Sequence, residues 1–461
     1  MCKVSNFSFT DQENPEKILL RGVINFPIEA RTDGVTLSSF GGIPMLRKEA
    51  EHLSMARQLA SCIIDRRNRS LIRHTMEELL MTRIYQICLG YEDVNDCDRN
   101  REEPMMKLAV SGDANGKDIC SSATMCRFEN MVTEEDLQRI QELFVTMFIL
   151  SYGGKAPSHI ILDCDDTNVD THGQQELTVF NTYYDSYCFM PLMVFEGYSG
   201  RLILPLLKPG RRNKAANVCD TLQWLITTIR AAWPQTTIIV RGDSHFCSHE
   251  LMDWVCLTLQ RKVFFITGLA ANSVLMAKPI VKQLSDKVRH DYELFKRPVR
   301  EYGEFFYKAG SWTLPQRVVV KVEMTRMGGQ PNIRFIVSNI RSVDARGLYE
   351  TTYCQRGRDE LYIRQFKEGV NGDRLSCHSF NANRLRIFLH GMAYNLMLSL
   401  RERALKGTGL EKATLLTIRE RILLTAVAVR VLKTKVVLDY SRNHPMKKEL
   451  VHAMRFYEQA A

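Results

Sequence analysis

Ile160-Ile161-Leu162-Asp163-Cys164-Asp165-Asp166-Thr167 is an apolar run that turns acidic within the length of one strand. Its residue types favour a strand, and the two-residue period of a strand puts Asp163 and Asp165 on the same face. Upstream, Thr133 is placed as an N-cap with Glu134, Glu135 and Asp136 in the first turn of a helix. That helix runs apolar through Leu143, Phe144, Met147 and Phe148, and Gly153-Gly154 ends it. Downstream, strands are predicted over 187–195 and 202–207, joined by the turn Tyr198-Ser199-Gly200. An amphipathic helix over 214–233 stops at Pro234, followed by a strand over 237–240, a helix over 248–259 and a strand over 262–267.

Three strands, then helix, strand, helix, strand, is the order of a ribonuclease-H-like α/β core, assigned here to 153–268. Residues 269–345 have their own β character, with Val318-Val319-Val320, a Gly328-Gly329 turn and Phe335-Ile336-Val337, and are read as a β-rich insertion. The core resumes over 346–400 and carries Glu360 on a helix. Residues 41–152 form a helical region, with apolar residues recurring every three or four positions at Leu53, Ala56, Leu59, Ala60, Ile63 and Ile64, then Leu79, Leu80, Ile84, Ile87 and Cys88. Arg66, Arg67, Arg69, Arg73 and His74 cluster between these helices, which suits either a DNA-phosphate contact or a solvated turn. Residues 1–40 are left as an arm. Residues 401–461 are expected to be helical and basic, including a helix over 415–438.

A chain of 461 residues allows several domains, and 45% hydrophobic with 25% charged residues excludes a disordered or fibrous protein. Of the formal charge of +10, residues 401–461 supply +7, from thirteen Lys or Arg against six Asp or Glu. A polyanionic partner is the reading that suits this tail. Thirteen scattered cysteines without a C-x-x-C pair suggest reduced thiols rather than disulfides or a zinc knuckle, and Cys120 and Cys126 lack a histidine pair. No signal peptide or membrane span is read, so a cytoplasmic protein without membrane contact is expected.

Three acids occupy places where such a core gathers its chemistry. Asp165, with Asp163 as an alternate, ends the first strand; Asp243, in Arg241-Gly242-Asp243-Ser244, follows the fourth. Taken alone, any one of these is more often a turn or cap residue. The third is Glu360, in the spacing Tyr353, Arg356, Glu360, Lys367. On a continuous helix these stand at roughly 0°, −60°, −20° and −40°, one narrow face. A solvated charged face is the alternative, weakened by the in-register tyrosine.

These stretches resemble the DDE transposases of bacterial insertion sequences that share the Y-x2-R-x3-E-x6-K signature, and in particular the subgroup related to piggyBac-type enzymes. Also matching are His172-Gly173-Gln174-Gln175, Phe180-Asn181, Tyr183-Tyr184-Asp185 and Gly90-Tyr91-Glu92-Asp93, so the likeness spans about 40–400. The resemblance implies catalytic and metal-binding roles for Asp165, Asp243 and Glu360, two Mg2+ or Mn2+ ions, and cleavage and strand transfer by phosphoryl chemistry. It implies double-stranded DNA, both transposon ends and target, as partner, and a homodimer in the synaptic complex of a bacterial, nucleoid-associated protein. Arg356 and Lys367 are expected to grip phosphates, with Tyr353 contacting phosphate or packing. Weaker DNA-binding candidates are His172, Trp312 as a stacking aromatic or a core residue, and Arg419, Arg421, Arg430, Lys433 and Lys435. A catalytically inactive derivative and a nuclease without strand transfer remain alternatives at this stage.

Overall fold

The computed structural model describes residues 18–20, 28–30, 34–209, 218–257 and 262–460. Residues 1–17, 21–27 and 31–33 of the expected arm and 214–217 of the expected helix over 214–233 lie outside the described residues, as do 258–259 of the helix over 248–259.

β1 (His159–Asp166), β2 (Leu192–Glu196), β3 (Leu202–Leu206), β4 (Thr237–Gly242), β5 (Val263–Leu269), β6 (Val299–Tyr307), β7 (Gln316–Met324) and β8 (Asn332–Ser338) form one sheet. Its order is β6-β7-β8-β5-β4-β1-β2-β3. β4 runs parallel to both β1 and β5, and every other pairing in the sheet is antiparallel. The central strands bury apolar side chains on both faces: Ile160, Leu162, Ile238 and Val240 on one, Ile161 and Ile266 on the other.

Helices cover the sheet and build the N-terminal region. α1 (Met76–Leu89) begins with a capping box in which the Thr75 hydroxyl and the Glu78 carboxylate exchange backbone hydrogen bonds, and α2 (Glu134–Leu150) starts the same way from Thr133 and Asp136. α3 (Val218–Ala232) and α4 (Pro279–Phe295) follow, then α5 (Gly357–Val370) and α6 (Phe380–Ala404). α6 is buried along most of its length and packs on α1, α2 and β3, with the Phe388 ring 5.5 Å from that of Phe144. It joins the N-terminal helices to the sheet in one hydrophobic core.

The segment 269–345 contains α4, and its strands β6, β7 and β8 extend the main sheet, β8 pairing with β5. Three expectations are corrected. The strand expected over 187–195 is split: Ser186–Phe189 joins a small sheet with Val169–Asp170 and Val179–Asn181, and β2 begins after Pro191. Pro191 has no N–H to give a ladder. The expected helix over 415–438 ends by Leu423, and Val427–Val431 with Val436–Tyr440 form a hairpin that also pairs with Leu37–Ser38. The β-branched alternation Val427, Val429, Val431 outweighs the helical reading. Finally, Tyr353 to Lys367 is not one α-helix: Leu348–Tyr353 is a π turn and Cys354–Arg356 a 3-10 turn before α5 begins.

Candidate active site

β1 and β4 lie side by side in parallel with Arg241 opposite Asp163, so their C-terminal ends open at the same edge of the sheet. Asp165 sits at the end of β1, and Asp243 follows β4 directly. The Asp243 carboxylate accepts the backbone N–H of His245 at 2.8 Å and thereby caps the turn Ser244–Phe246, with the His245 ring 3.5 Å away. The Asp165 side chain is 19% exposed and has one cation near it, Arg356 at 3.6 Å. Burial pushes its carboxyl up to about 6; Arg356 opposes that rise, while the negative charges of Asp243 and Asp166 add to it. Asp166 is held differently, by Lys208 at 2.7 Å.

Glu360 is exposed on α5 and faces a cavity that it shares with Asp165, Asp166 and Lys367. Asp243, Tyr353 and Arg356 line a second cavity, and the Arg356–Asp165 pair joins the two. Asp165 and Asp243 are therefore within electrostatic reach of each other, and Glu360 stands across the cavity from Asp165. Among the described residues no three acid, histidine or cysteine side chains are gathered closely enough to hold one metal ion. The four residues of the spaced motif do meet the site, but not by sharing a helical face. The π and 3-10 turns direct Tyr353 and Arg356 toward Asp243, while α5 presents Glu360 and Lys367 toward Asp165. The Lys367 ammonium donates to the Asn168 carbonyl at 2.7 Å.

Beneath this open pair lies a closed one. Asp163 is fully buried and forms a two-pronged ion pair with Arg241, one prong at 2.5 Å, so it is not available as a ligand. Arg241 also donates to the Thr352 carbonyl at 2.6 Å. Asp359, one residue before Glu360, is buried with no donor reaching its oxygens. Burial first, and then the neighbouring Asp163 carboxylate, push the Asp359 carboxyl well above the usual carboxylate range, which favours its protonated form. This cluster connects β1, β4, the π turn and α5, the four segments that carry the site. Neither Arg241 nor Asp359 was read as important from the sequence. The available signal was an arginine inside the apolar strand Thr237-Ile238-Ile239-Val240-Arg241, which requires a buried partner.

The remaining candidates separate. Trp312 is buried at 7% exposure, its ring 5.4 Å from that of Tyr307, so the expected stacking role is corrected to a core role. Arg419 is buried and donates to the Glu368 and Gly369 carbonyls at the C-terminal end of α5, a capping role in place of a DNA contact. Arg430 pairs with Asp439 across the hairpin at 2.8 Å. Arg421, Lys433 and Lys435 are exposed. His172 is exposed beside a cavity that Asn168 and Lys367 also line.

With this geometry in view, the class is a transposase: residues 21–460 match the family model described as transposase DDE domain group 1, and the chain belongs to that family. Among curated proteins, none matches the chain. Among solved structures, the piggyBac transposase synaptic complex with hairpin DNA, determined by cryo-electron microscopy, is similar at 11% identity and a TM-score of 0.41, over 84% of this chain and 79% of that one. No helix among the described residues is long and apolar enough to cross a membrane.

Proposed function

We propose that this chain binds the inverted-repeat ends of a mobile element, cleaves them, and joins the freed 3′ ends to target DNA as a homodimer holding two ends. The observation that carries this reading is the pair Asp165 and Asp243 at the ends of adjacent parallel strands, with Arg356 at 3.6 Å from Asp165 and Glu360 facing the same cavity. The five strands β3-β2-β1-β4-β5 supply the ribonuclease-H-like frame in this proposal.

DDE transposases as a class use divalent metal ions, and the residues present fit such ions. The donors are carboxylate oxygens, which suit Mg2+ or Mn2+. The mutual repulsion of Asp165 and Asp243, which helps to raise the Asp165 pKa, is of the kind a cation relieves. Asp165, Asp243 and Glu360 would hold two ions. When bound, such ions activate the attacking hydroxyl and stabilise the leaving oxygen of an in-line phosphoryl transfer.

The chain's own groups do the rest. Arg356, half-buried between the two aspartates, orients a phosphate in two-pronged fashion, and Lys367 adds a point charge on the α5 side. Glu360 shares a cavity with Asp165, and the buried Asp359 beside it keeps this end of α5 against β1. The Asp163–Arg241–Asp359 cluster fixes the strand ends from below.

The test uses labelled duplexes carrying the DNA that flanks the coding region, incubated with the full chain and Mg2+, with products resolved on a gel. Cut and joined products are expected. Cut products alone would indicate a nuclease, and intact DNA with retained binding would indicate a derivative without catalysis.

A further inference from the structure

The last carbonyls of a helix find no donor within it and turn to water or to the chain that follows. α5 stops in the usual way: Asn371 takes the left-handed conformation at φ 51°, and its N–H returns to the Phe366 carbonyl. The carbonyls beyond that point are taken by side chains from remote elements. Arg419 donates to those of Glu368 and Gly369, each at 3.3 Å. His390, fully buried on α6, donates through Nδ1 to that of Val370 at 2.6 Å. The Asn371 side-chain amide then donates to the Glu92 carboxylate at 2.7 Å.

Glu92 belongs to Gly90-Tyr91-Glu92-Asp93, a stretch outside the cavities that hold the acids of β1 and β4. Its backbone is held as a bracket. The buried Arg83 donates to the carbonyls of Tyr91, Glu92 and Asp93, and is itself paired with the buried Glu129 at 2.9 Å. Gly90 leaves α1 at φ 90°, and a Cβ there would stand 3.1 Å from Arg419 Nη1, so glycine serves both the turn and the passage of the guanidinium. The Val370 carbonyl can only accept, so the His390 proton sits on Nδ1, and burial pushes the imidazole down to about 3, which keeps it neutral. Its Nε2 is buried with no hydrogen-bond partner among the described residues. A leucine would leave no polar atom unpartnered there, so packing alone does not explain the histidine.

We propose that Glu92, His390 and Arg419 are positioning residues that fix the last turn of α5 and thereby aim Lys367. Lys367 stands one residue before the first carbonyl so held, and its side chain lines the cavity of Asp165 and Glu360. An ammonium on a flexible four-carbon stem can be directed at one phosphate only if its backbone is immobile. The clamp comes from the bracket after α1, from α6 and from the C-terminal region, so the packing of all three sets the direction of one cation. The proposal rests on the transposase reading for the phosphate that Lys367 meets, whereas the clamp itself is measurable without DNA.

The experiment has two arms, both on the full chain in EDTA. In the first, amide hydrogen exchange is followed over residues 366–372. His390→Leu and Arg419→Leu are each expected to speed exchange there by about fivefold, the equivalent of one hydrogen bond. His390→Asn, whose amide N–H falls near the place of Nδ1, should keep the wild-type protection. In the second arm, anisotropy reports binding of a duplex carrying the DNA that flanks the coding region, at several salt concentrations. Lys367→Ala is expected to reduce the slope of log affinity against log salt by about 1. His390→Leu should reduce it likewise, add less than about twofold when combined with Lys367→Ala, and be rescued by His390→Asn. Should His390→Leu not fold, Arg419→Leu carries the same cycle from another element. Additive losses in the double variant, an unchanged slope, or His390→Asn behaving as His390→Leu would overturn the proposal. A chain that passes both arms yet never cuts the duplex with Mg2+ would contradict the transposase reading and uphold the clamp.

Discussion

Asp163 and Asp165 are two residues apart on β1, point to the same side of the sheet, and have opposite surroundings. Asp163 is sealed, paired with Arg241 and set against the buried Asp359, whose carboxyl is pushed toward its protonated form. Asp165 lies at the rim of a cavity with one guanidinium at 3.6 Å and further carboxylates nearby. The chemistry of the side chain is the same; depth and partners decide what it does. A satisfied buried ion pair holds segments in place, whereas an under-neutralised acid at a cavity is a place where a cation or a proton is held.

The largest effect should come from the open pair. Asp165→Asn and Asp243→Asn are each expected to lower end cleavage by about a thousandfold or more while thermal unfolding shifts little, because an amide oxygen at 243 keeps the acceptor for the His245 N–H and Asp165 is paired only with Arg356 at 3.6 Å. Retained cutting in either variant would remove the distinction between the two aspartates. Next comes the closed cluster. Arg241→Met leaves Asp163 buried without its counter-charge and should cost about 3 to 5 kcal/mol in denaturant unfolding, with loss of activity following loss of fold. A variant as stable as wild type would show that the pair is solvated.

A smaller effect is expected from pH. The Asp165 carboxyl is raised from its ordinary 3.8 to about 6, so protons compete with a divalent ion below that value. Mn2+ affinity measured by calorimetry should fall by about tenfold per pH unit below about 6, with proton release on binding. The sign for stability is the reverse of the usual carboxylate case: ionising Asp165 costs the folded state as pH rises from 3.8 to about 6. The smallest effect is expected for Asp359→Asn. A neutral amide replaces a carboxyl that favours its protonated form, so stability should change by less than about 1 kcal/mol. A loss as large as that of Arg241→Met would mean that Asp359 is ionised.

The contrast also marks what could be read from the sequence. The strands β1, β3, β4 and β5 were legible because apolar runs bounded by turns have few alternatives, whereas β2 was merged with the strand before Pro191, and the acids at the strand ends followed from the alternation of a strand. The role of Asp163 was not legible: alternation gives the face, not the depth, and only the register of Arg241 against Asp163 reveals the pair. Tyr353 and Arg356 were linked to the site for a helical reason that does not hold, since π and 3-10 turns have no signature in the spacing. The joining of β6–β8 to the main sheet depends on β8 lying against β5, residues about seventy positions apart, which no local pattern encodes. The C-terminal hairpin was hidden by apolar residues that fit both periods over a short window.

The most direct test of the account is anomalous diffraction from crystals of the full chain with Mn2+ and end DNA. Manganese density is expected against Asp165 and Asp243 with the Glu360 side chain reaching it, and with Asp163 still paired with Arg241. Manganese held by Asp163, or absent from the Asp165–Asp243 cavity in crystals that contain the DNA end, would contradict it.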